Sequence, residues 1–239
     1  MKTRTLGVLA AAALVSGTAN AAVVTKWSFN GRSLNATTGT GAARFLGTSF
    51  VNYGAGAAQD TAPGSRLGLR FNNFSFTKGN EGSKGVWFAT DTTDFDALRV
   101  TYFQRVDAAA AQWARFQYSV NGGRTWTSSG LSRGGVYKVS LTDTYTRVSF
   151  NLTGLDGVAD NSAFRFRVVA LASPTDAKIS TSSGRAFRST ATWSIDGVTV
   201  TGNSISGQNQ GVDPQIPAPG ALALIATAGL VGTSTRRRA

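Results

Sequence analysis

The chain has 239 residues, no cysteine and no histidine, and 24 lysines and arginines against 12 acids, for a formal net charge of +12. Without Cys and His, Ser–His and Cys–His nucleophile systems are ruled out, as are His-ligated zinc and iron sites. Glu81 is the only glutamate and stands among Gly79, Asn80 and Gly82, a turn-like context, so a glycosidase's pair of carboxylates has no evident members and no enzyme is expected.

Lys2 and Arg4 precede an apolar run from Leu6 to Val15, and Ala19-Asn20-Ala21 follows as a small-x-small cleavage site. This is the pattern of a secretory signal peptide over residues 1–21, read by a secretion translocon, with a mature start at Ala22. The body, residues 22–202, is one domain by length. A domain of about 180 residues buries roughly 70% of its unfolded-chain surface, enough to stand without disulfides.

From Val23 the body alternates with period two. Val23 to Phe29 leads into the turn signal Asn30-Gly31. Leu67, Leu69 and Phe71 alternate with Gly68 and Arg70; Leu98, Val100 and Tyr102 alternate with Arg99, Thr101 and Phe103. Phe116, Tyr118 and Val120 alternate with Arg115, Gln117 and Ser119, and Trp113 shares the parity of Arg115 and Gln117. Val148, Phe150 and Leu152, then Phe164, Phe166 and Val168, repeat the pattern. Such alternation marks half-buried strands. Helical periodicity is confined to a short turn at Asp107–Ala111. The expected fold is an all-β sandwich of two antiparallel sheets, jelly-roll-like. A signal helix before it and a short hydrophobic helix after it complete the expected fold class.

Before the Leu98 strand, Asp91, Asp94 and Asp96 fall within six residues. Calcium takes six to eight oxygens, and these acids supply part of such a shell. The alternative is a polar loop, and the spacing is not that of an EF-hand. No cofactor is required elsewhere.

The run Ser119-Val120-Asn121-Gly122-Gly123-Arg124-Thr125-Trp126 contains Asn-Gly, a strong hairpin signal. It resembles an Asp-box hairpin with Asn121 in the Asp position. The resemblance implies that Asn121 ties down the turn and that Trp126 packs beneath it, a structural role. Trp193-Ser194-Ile195-Asp196-Gly197-Val198-Thr199-Val200 resembles the closing strand of exported jelly-roll domains. Asp196 has two readings, a cap on the turn to Gly197 or a member of a calcium site. Residues 203–215 are polar and Gly/Ser/Gln-rich and read as a flexible linker.

Residues 216–239 hold Pro217-Ala218-Pro219, a short Ala/Leu-rich run and Arg236-Arg237-Arg238. A turn-forming motif, an apolar segment and a basic stop form one device, with the arginines held on the cytoplasmic side. This order resembles the PEP-CTERM sorting tail, with Ala218 in place of the family's Glu. The resemblance implies transient membrane insertion and processing by an exosortase-type enzyme at the cell envelope.

Five of the basic residues lie in the two terminal segments and none of the acids does, so the chain between them keeps a net +7. That favours anionic partners such as acidic polysaccharide or lipopolysaccharide surfaces, the alternative being that the scattered charges serve only solubility. The cations are scattered and the chain is exported, so nucleic acid is not expected. Two functions remain: a structural or interaction protein of the cell surface or extracellular matrix, or a carbohydrate-binding module. For the second, Trp27, Trp87, Trp113 and Trp193 are candidate stacking residues, and Trp113 is singled out by its parity.

Overall fold

The computed structural model describes residues 21–64, 66–74, 81–139 and 143–205. These form eleven strands: β1 Ala22–Trp27, β2 Gly41–Leu46, β3 Ser49–Ala55, β4 Leu67–Asn72, β5 Gly85–Thr90, β6 Phe95–Val106, β7 Trp113–Ser119, β8 Val136–Lys138, β9 Thr146–Asn151, β10 Arg165–Leu171 and β11 Trp193–Ser204. A single 3-10 turn at Ser132–Gly135 is the only helical element among the described residues, and none of their helices is long and apolar enough to cross a membrane. Residues 1–20, Ala19 among them, and the whole Pro217–Arg238 tail lie outside the described residues, whereas Ala21 is the first described residue.

The strands build two antiparallel sheets. Sheet A runs β3-β4-β11-β6-β9, with β1 also paired to β11; sheet B runs β2-β5-β10-β7-β8. The all-β sandwich expected from period two is present. Its alternating apolar residues face inward as read: Leu69, Phe71, Leu98, Val100, Tyr102, Phe116, Phe166 and Val168 are all buried. Val23 and Val120 are exceptions: Val23 is exposed ahead of a register shift between Val23 and Thr25. β7 ends at Ser119, so the alternation stops one residue short and Val120 is exposed. β11 runs through Ser204, so the first two residues of the assigned linker belong to the sheet.

The interior is dominated by aromatic rings. Phe88, Phe166 and Phe116 of sheet B stack in series, at 4.9 and 5.6 Å between centroids, and Phe116 stacks at 4.4 Å on Phe150 from sheet A. Trp27 meets Phe88 edge-on at 5.1 Å. Trp193 packs on Phe74 at 4.6 Å and donates its indole N–H to the Ala111 carbonyl at 2.8 Å. Offset and edge-on ring pairs of this kind add about 0.5–1.5 kcal/mol each beyond the area they bury. This layer keeps sheet B rigid enough to present an outer face of fixed spacing.

β11 is the centre of sheet A. It pairs with β4 through Trp193–Ile195, with β1 through Val198–Gly202, and with β6 along most of its length. At the handover from β4 to β1 the register against β6 shifts between Asp196 and Thr199, and Gly197 has φ +56. Only glycine adopts that conformation without a steric cost.

Candidate functional site

Side chains at alternate positions of sheet B point outward, and register fixes their neighbours. Arg44 of β2 lies opposite Trp87 of β5, Trp87 opposite Arg167 of β10, and Arg167 opposite Gln117 of β7. One row, Arg44-Trp87-Arg167-Gln117, therefore crosses four strands. Three inter-strand gaps of about 4.8 Å make the row roughly 14 Å long. Arg165 sits two residues before Arg167 on the same face, and Arg115 two residues before Gln117. At the far end Trp113 lies opposite Lys138.

The cations lie over the rings. The Arg165 guanidinium stands 4.8 Å from the Trp87 ring centre, Arg167 stands 4.5 Å from that of Trp126, and the Lys138 ammonium 5.8 Å from that of Trp113. Arg167 Nε also donates to Gln117 Oε1 at 2.9 Å. Burial lowers the Arg167 pKa from its ordinary value, and a guanidinium stays charged even so. All three tryptophans are half-buried, whereas Trp27 and Trp193 are fully buried and drop out as stacking candidates.

Trp126 reaches this face through the loop after β7. Ser119 Oγ accepts from the Gly123 N–H at 2.9 Å, Asn121 Oδ1 accepts from the Thr125 N–H at 3.0 Å, and Asn121 Nδ2 donates to Thr125 Oγ1 at 2.8 Å. Asn121 thus ties the turn as the Asp-box resemblance implies. The left-handed residues are Gly122 and Gly123, at φ +72 and +85, one place later than an Asn-Gly turn would put them. A Cβ on Gly123 would stand 3.3 Å from Trp126 Cζ2. The loop therefore folds the Trp126 ring back over the outer face. The ring packs against the turn at Gly123, as the resemblance implies, but it is half-buried on the outer face and not enclosed in the core.

Beyond Trp113 the face opens into a cleft of about 530 Å³ lined by Trp113, Arg133, Val136, Tyr137, Lys138 and Pro174. Trp113 lines this cleft, on the outward side that its parity implies, and is also the first residue of β7, so the rival reading of its parity as a strand end fits as well. The Tyr137 hydroxyl turns inward, donating to Gln104 and accepting from Tyr102 at 2.7 Å, and burial raises the pKa of both phenols.

The four acids considered for calcium separate into two places. Asp91 Oδ1 accepts from the Thr93 N–H at 2.9 Å, and hydrogen bonding to the Thr93 side chain first and its backbone second holds the carboxyl below its ordinary value. The Asp94 N–H donates to Asp160 Oδ1 at 3.0 Å, and Asp96 lies opposite Asn203 near the end of β11. Asp196 is seven residues back along β11 from Asn203, roughly 23 Å at strand rise. Among the described residues no group of three or more acids is placed to hold a metal ion.

Asp196 does cap the Gly197 turn. Its Oδ1 accepts from the Gly197 N–H at 2.7 Å, and its Oδ2 accepts from the Ala57 N–H at 2.7 Å. A Cβ on Gly56 would come within 2.5 Å of Oδ2. Asp60 is buried beside it, with Lys26 Nζ 2.9 Å from Asp60 Oδ1. Burial, reinforced by the Asp60 charge, pushes the Asp196 carboxyl up to about 7 against the pull of the two N–H donors and Lys26. Tyr145, raised to about 12 chiefly by burial and then by Asp196, donates to the Ala55 carbonyl at 2.9 Å and closes the cluster.

No family model and no curated protein matches the chain. Among solved structures, the CBM22-1 xylan-binding domain of Xyn10C from Paenibacillus barcinonensis is similar over 79% of this chain and 99% of its own, at 12% identity and a TM-score of 0.43. The mannan-recognising carbohydrate-binding module TmCBM27 is similar over 78% of this chain and 100% of its own, at 12% identity and a TM-score of 0.39. The K1 cleaved adhesin domain of Lys-gingipain from Porphyromonas gingivalis W83 is similar over 70% of this chain and 100% of its own, at 11% identity and a TM-score of 0.34. At these values the likenesses carry no weight for function, which rests on the outer face of sheet B.

Proposed function

We propose that this chain is a non-catalytic, jelly-roll-like polysaccharide-binding protein of the cell surface. The observation that carries the reading is the outer face of sheet B, where Trp87, Trp113 and Trp126 lie half-exposed among Arg44, Gln117, Arg165 and Arg167. Flat rings offer area to sugar C–H faces, and planar polar groups beside them hydrogen-bond hydroxyls and charges. The fold supports this use because β-sheet register sets the spacing of these groups without a loop rearrangement. A glycan array probed with the full chain tests the reading. Binding to at least one envelope or matrix polysaccharide is expected, and a Trp87→Ala/Trp126→Ala variant should lose it while keeping its melting temperature within a few degrees. An array without signal, or signal unmoved by the double substitution, removes the proposal.

Delivery is the second part of the reading. Lys2 to Ala21 and the Pro217–Arg238 segment support export through the translocon and sorting by an exosortase-type enzyme, with the tail in the membrane only transiently. The C-terminal mass of protein recovered from the cell surface decides this part. Processing should leave a terminus near Pro219. A surface form still ending in Ala239 points to a simple anchored structural protein.

A further inference from the structure

We infer that the ligand of the outer face of sheet B is an acidic polysaccharide whose carboxylates pair with Arg165 and Arg167, because these guanidinia lie over Trp87 and Trp126 and cover ring faces that a neutral sugar would need. The inference rests on the polysaccharide-binding reading and narrows it to a substrate class.

A neutral sugar binds an aromatic platform by laying its C–H face on a bare ring. Here Trp87, Trp113 and Trp126 each carry a cation within 4.5 to 5.8 Å of the ring centre. Displacing it would forfeit a cation–π contact of about 0.5–1 kcal/mol at an exposed site, and more where water is excluded. An anion needs no displacement. A guanidinium stacked on a ring uses its flat face there, while its N–H donors radiate in the guanidinium plane and stay free to take a carboxylate side-on. Stacking also orders the long arginine side chain before ligand arrives, which reduces the conformational entropy lost on binding.

Arg167 is the most ordered of these groups. Its Nε is committed to Gln117 and its face to Trp126, which leaves the Nη edge for an anion. Arg165 follows two residues along the strand, roughly 7 Å away. Arg44 is two strands over in the same row as Arg167. Cations thus recur in both directions of the sheet, which suits a polymer bearing a charge on successive sugars. The Lys26–Asp60 and Arg70–Asp107 ion pairs lie on the other sheet, and Glu81, which shares a cleft with Arg115, stands at the edge of this face away from the Arg165–Trp87 and Arg167–Trp126 contacts.

Affinity electrophoresis of the full chain tests the inference with four gels containing polygalacturonate, its fully methyl-esterified form, dextran sulfate and neutral xylan. Retardation by polygalacturonate is expected, at least tenfold weaker on the methyl ester and on xylan, and falling steeply with added salt. Arg165→Gln/Arg167→Gln should lose at least tenfold on polygalacturonate. Arg165→Lys/Arg167→Lys should recover only part of it, since an ammonium lacks the planar fork. Arg99→Gln/Arg147→Gln removes the same charge from exposed positions on sheet A and should leave binding unchanged. Equal loss in that control would overturn the inference by showing a net-charge effect. Retardation by dextran sulfate alone would overturn the carboxylate assignment. Binding to xylan or the methyl ester as tight as to polygalacturonate would overturn acidic selectivity and leave the polysaccharide-binding reading standing, whereas no retardation in any gel overturns both.

Discussion

The two sheets have similar backbones and opposite outer faces. On sheet A, Lys26, Asp60, Asp196 and Tyr145 are drawn into a cluster under the chain that joins β3 to β4, and every carboxylate oxygen but Asp60 Oδ2 has a donor. On sheet B, cations of the same kind stay at the surface, over aromatic rings. The contrast shows how one charge chemistry serves two ends. Covered and matched, charges fix a loop to a strand; uncovered and unmatched, they wait for a counter-charge from outside.

The largest expected effect breaks the sheet A side. Asp196→Ala leaves the Ala57 and Gly197 N–H groups buried without acceptors. It should destabilise by about 3–5 kcal/mol, with each buried donor left unpaired costing about 1–3 kcal/mol. Denaturant unfolding measures it. A loss under about 1 kcal/mol would mean that the cluster is not what holds the loop.

A difference in tryptophans sharpens the comparison. Trp193→Ala, in the core, should cost about 3–5 kcal/mol. Trp126→Ala, on the open face, should cost only about 1 kcal/mol, the worth of a half-exposed ring and its cation contact. The order of effects should reverse in a polygalacturonate gel, where Trp126→Ala weakens binding and Trp193→Ala, while folded, does not. Equal melting shifts for the two variants would restore Trp126 to a structural role.

The pH dependence should be smaller and confined to sheet A. The folded-state pKa of Asp196, about 7, lies above the ordinary carboxylate value. The folded form therefore holds its proton where the unfolded form has released it. The resulting stability is present in full below pH ~4 and is lost progressively as pH rises to about 7, on the order of 2–4 kcal/mol. Melting temperature should fall across that window, and Asp196→Asn should flatten the curve. An unchanged slope in Asp196→Asn would place the titration elsewhere.

The smallest effect lies in the loop that carries Trp126. Asn121→Ala removes the acceptor for the Thr125 N–H and should cost about 1 kcal/mol. It should also blunt binding on sheet B without touching the pH curve of sheet A.

Period two made much of this architecture legible. The alternation of Phe164 and Phe166 with Arg165 and Arg167 placed the rings inside and the guanidinia outside, and the parity of Trp113 placed it among the outward residues. The strands that gave no such signal are β2, β3, β5 and β8, which are short or lack a run of apolar alternation. β3 is an edge strand with Phe50 and Val51 exposed. The stacking of Arg165 on Trp87 was invisible because it depends on β10 lying next to β5, a pairing between residues far apart in sequence. The position of Trp126 was invisible because a loop has no period. Asp196 was read correctly as a turn cap, but its second donor, Ala57, is 139 residues away, and only the folded chain brings it near.

The place of β11 has a consequence for how the molecule comes into being. The strand that closes the chain's β-structure is also the one that β1, β4 and β6 all need as a neighbour. The β3–β4 and β6–β9 pairs can form early, but a polypeptide made amino end first cannot join them into one sheet, or seat β1, until Trp193–Ser204 has emerged. Contacts of such sequence separation make folding slow, because loop closure precedes any gain from pairing. Loss of Trp193–Ser204 would leave β1 without its partner strand and split the rest of sheet A into separate β3–β4 and β6–β9 pairs.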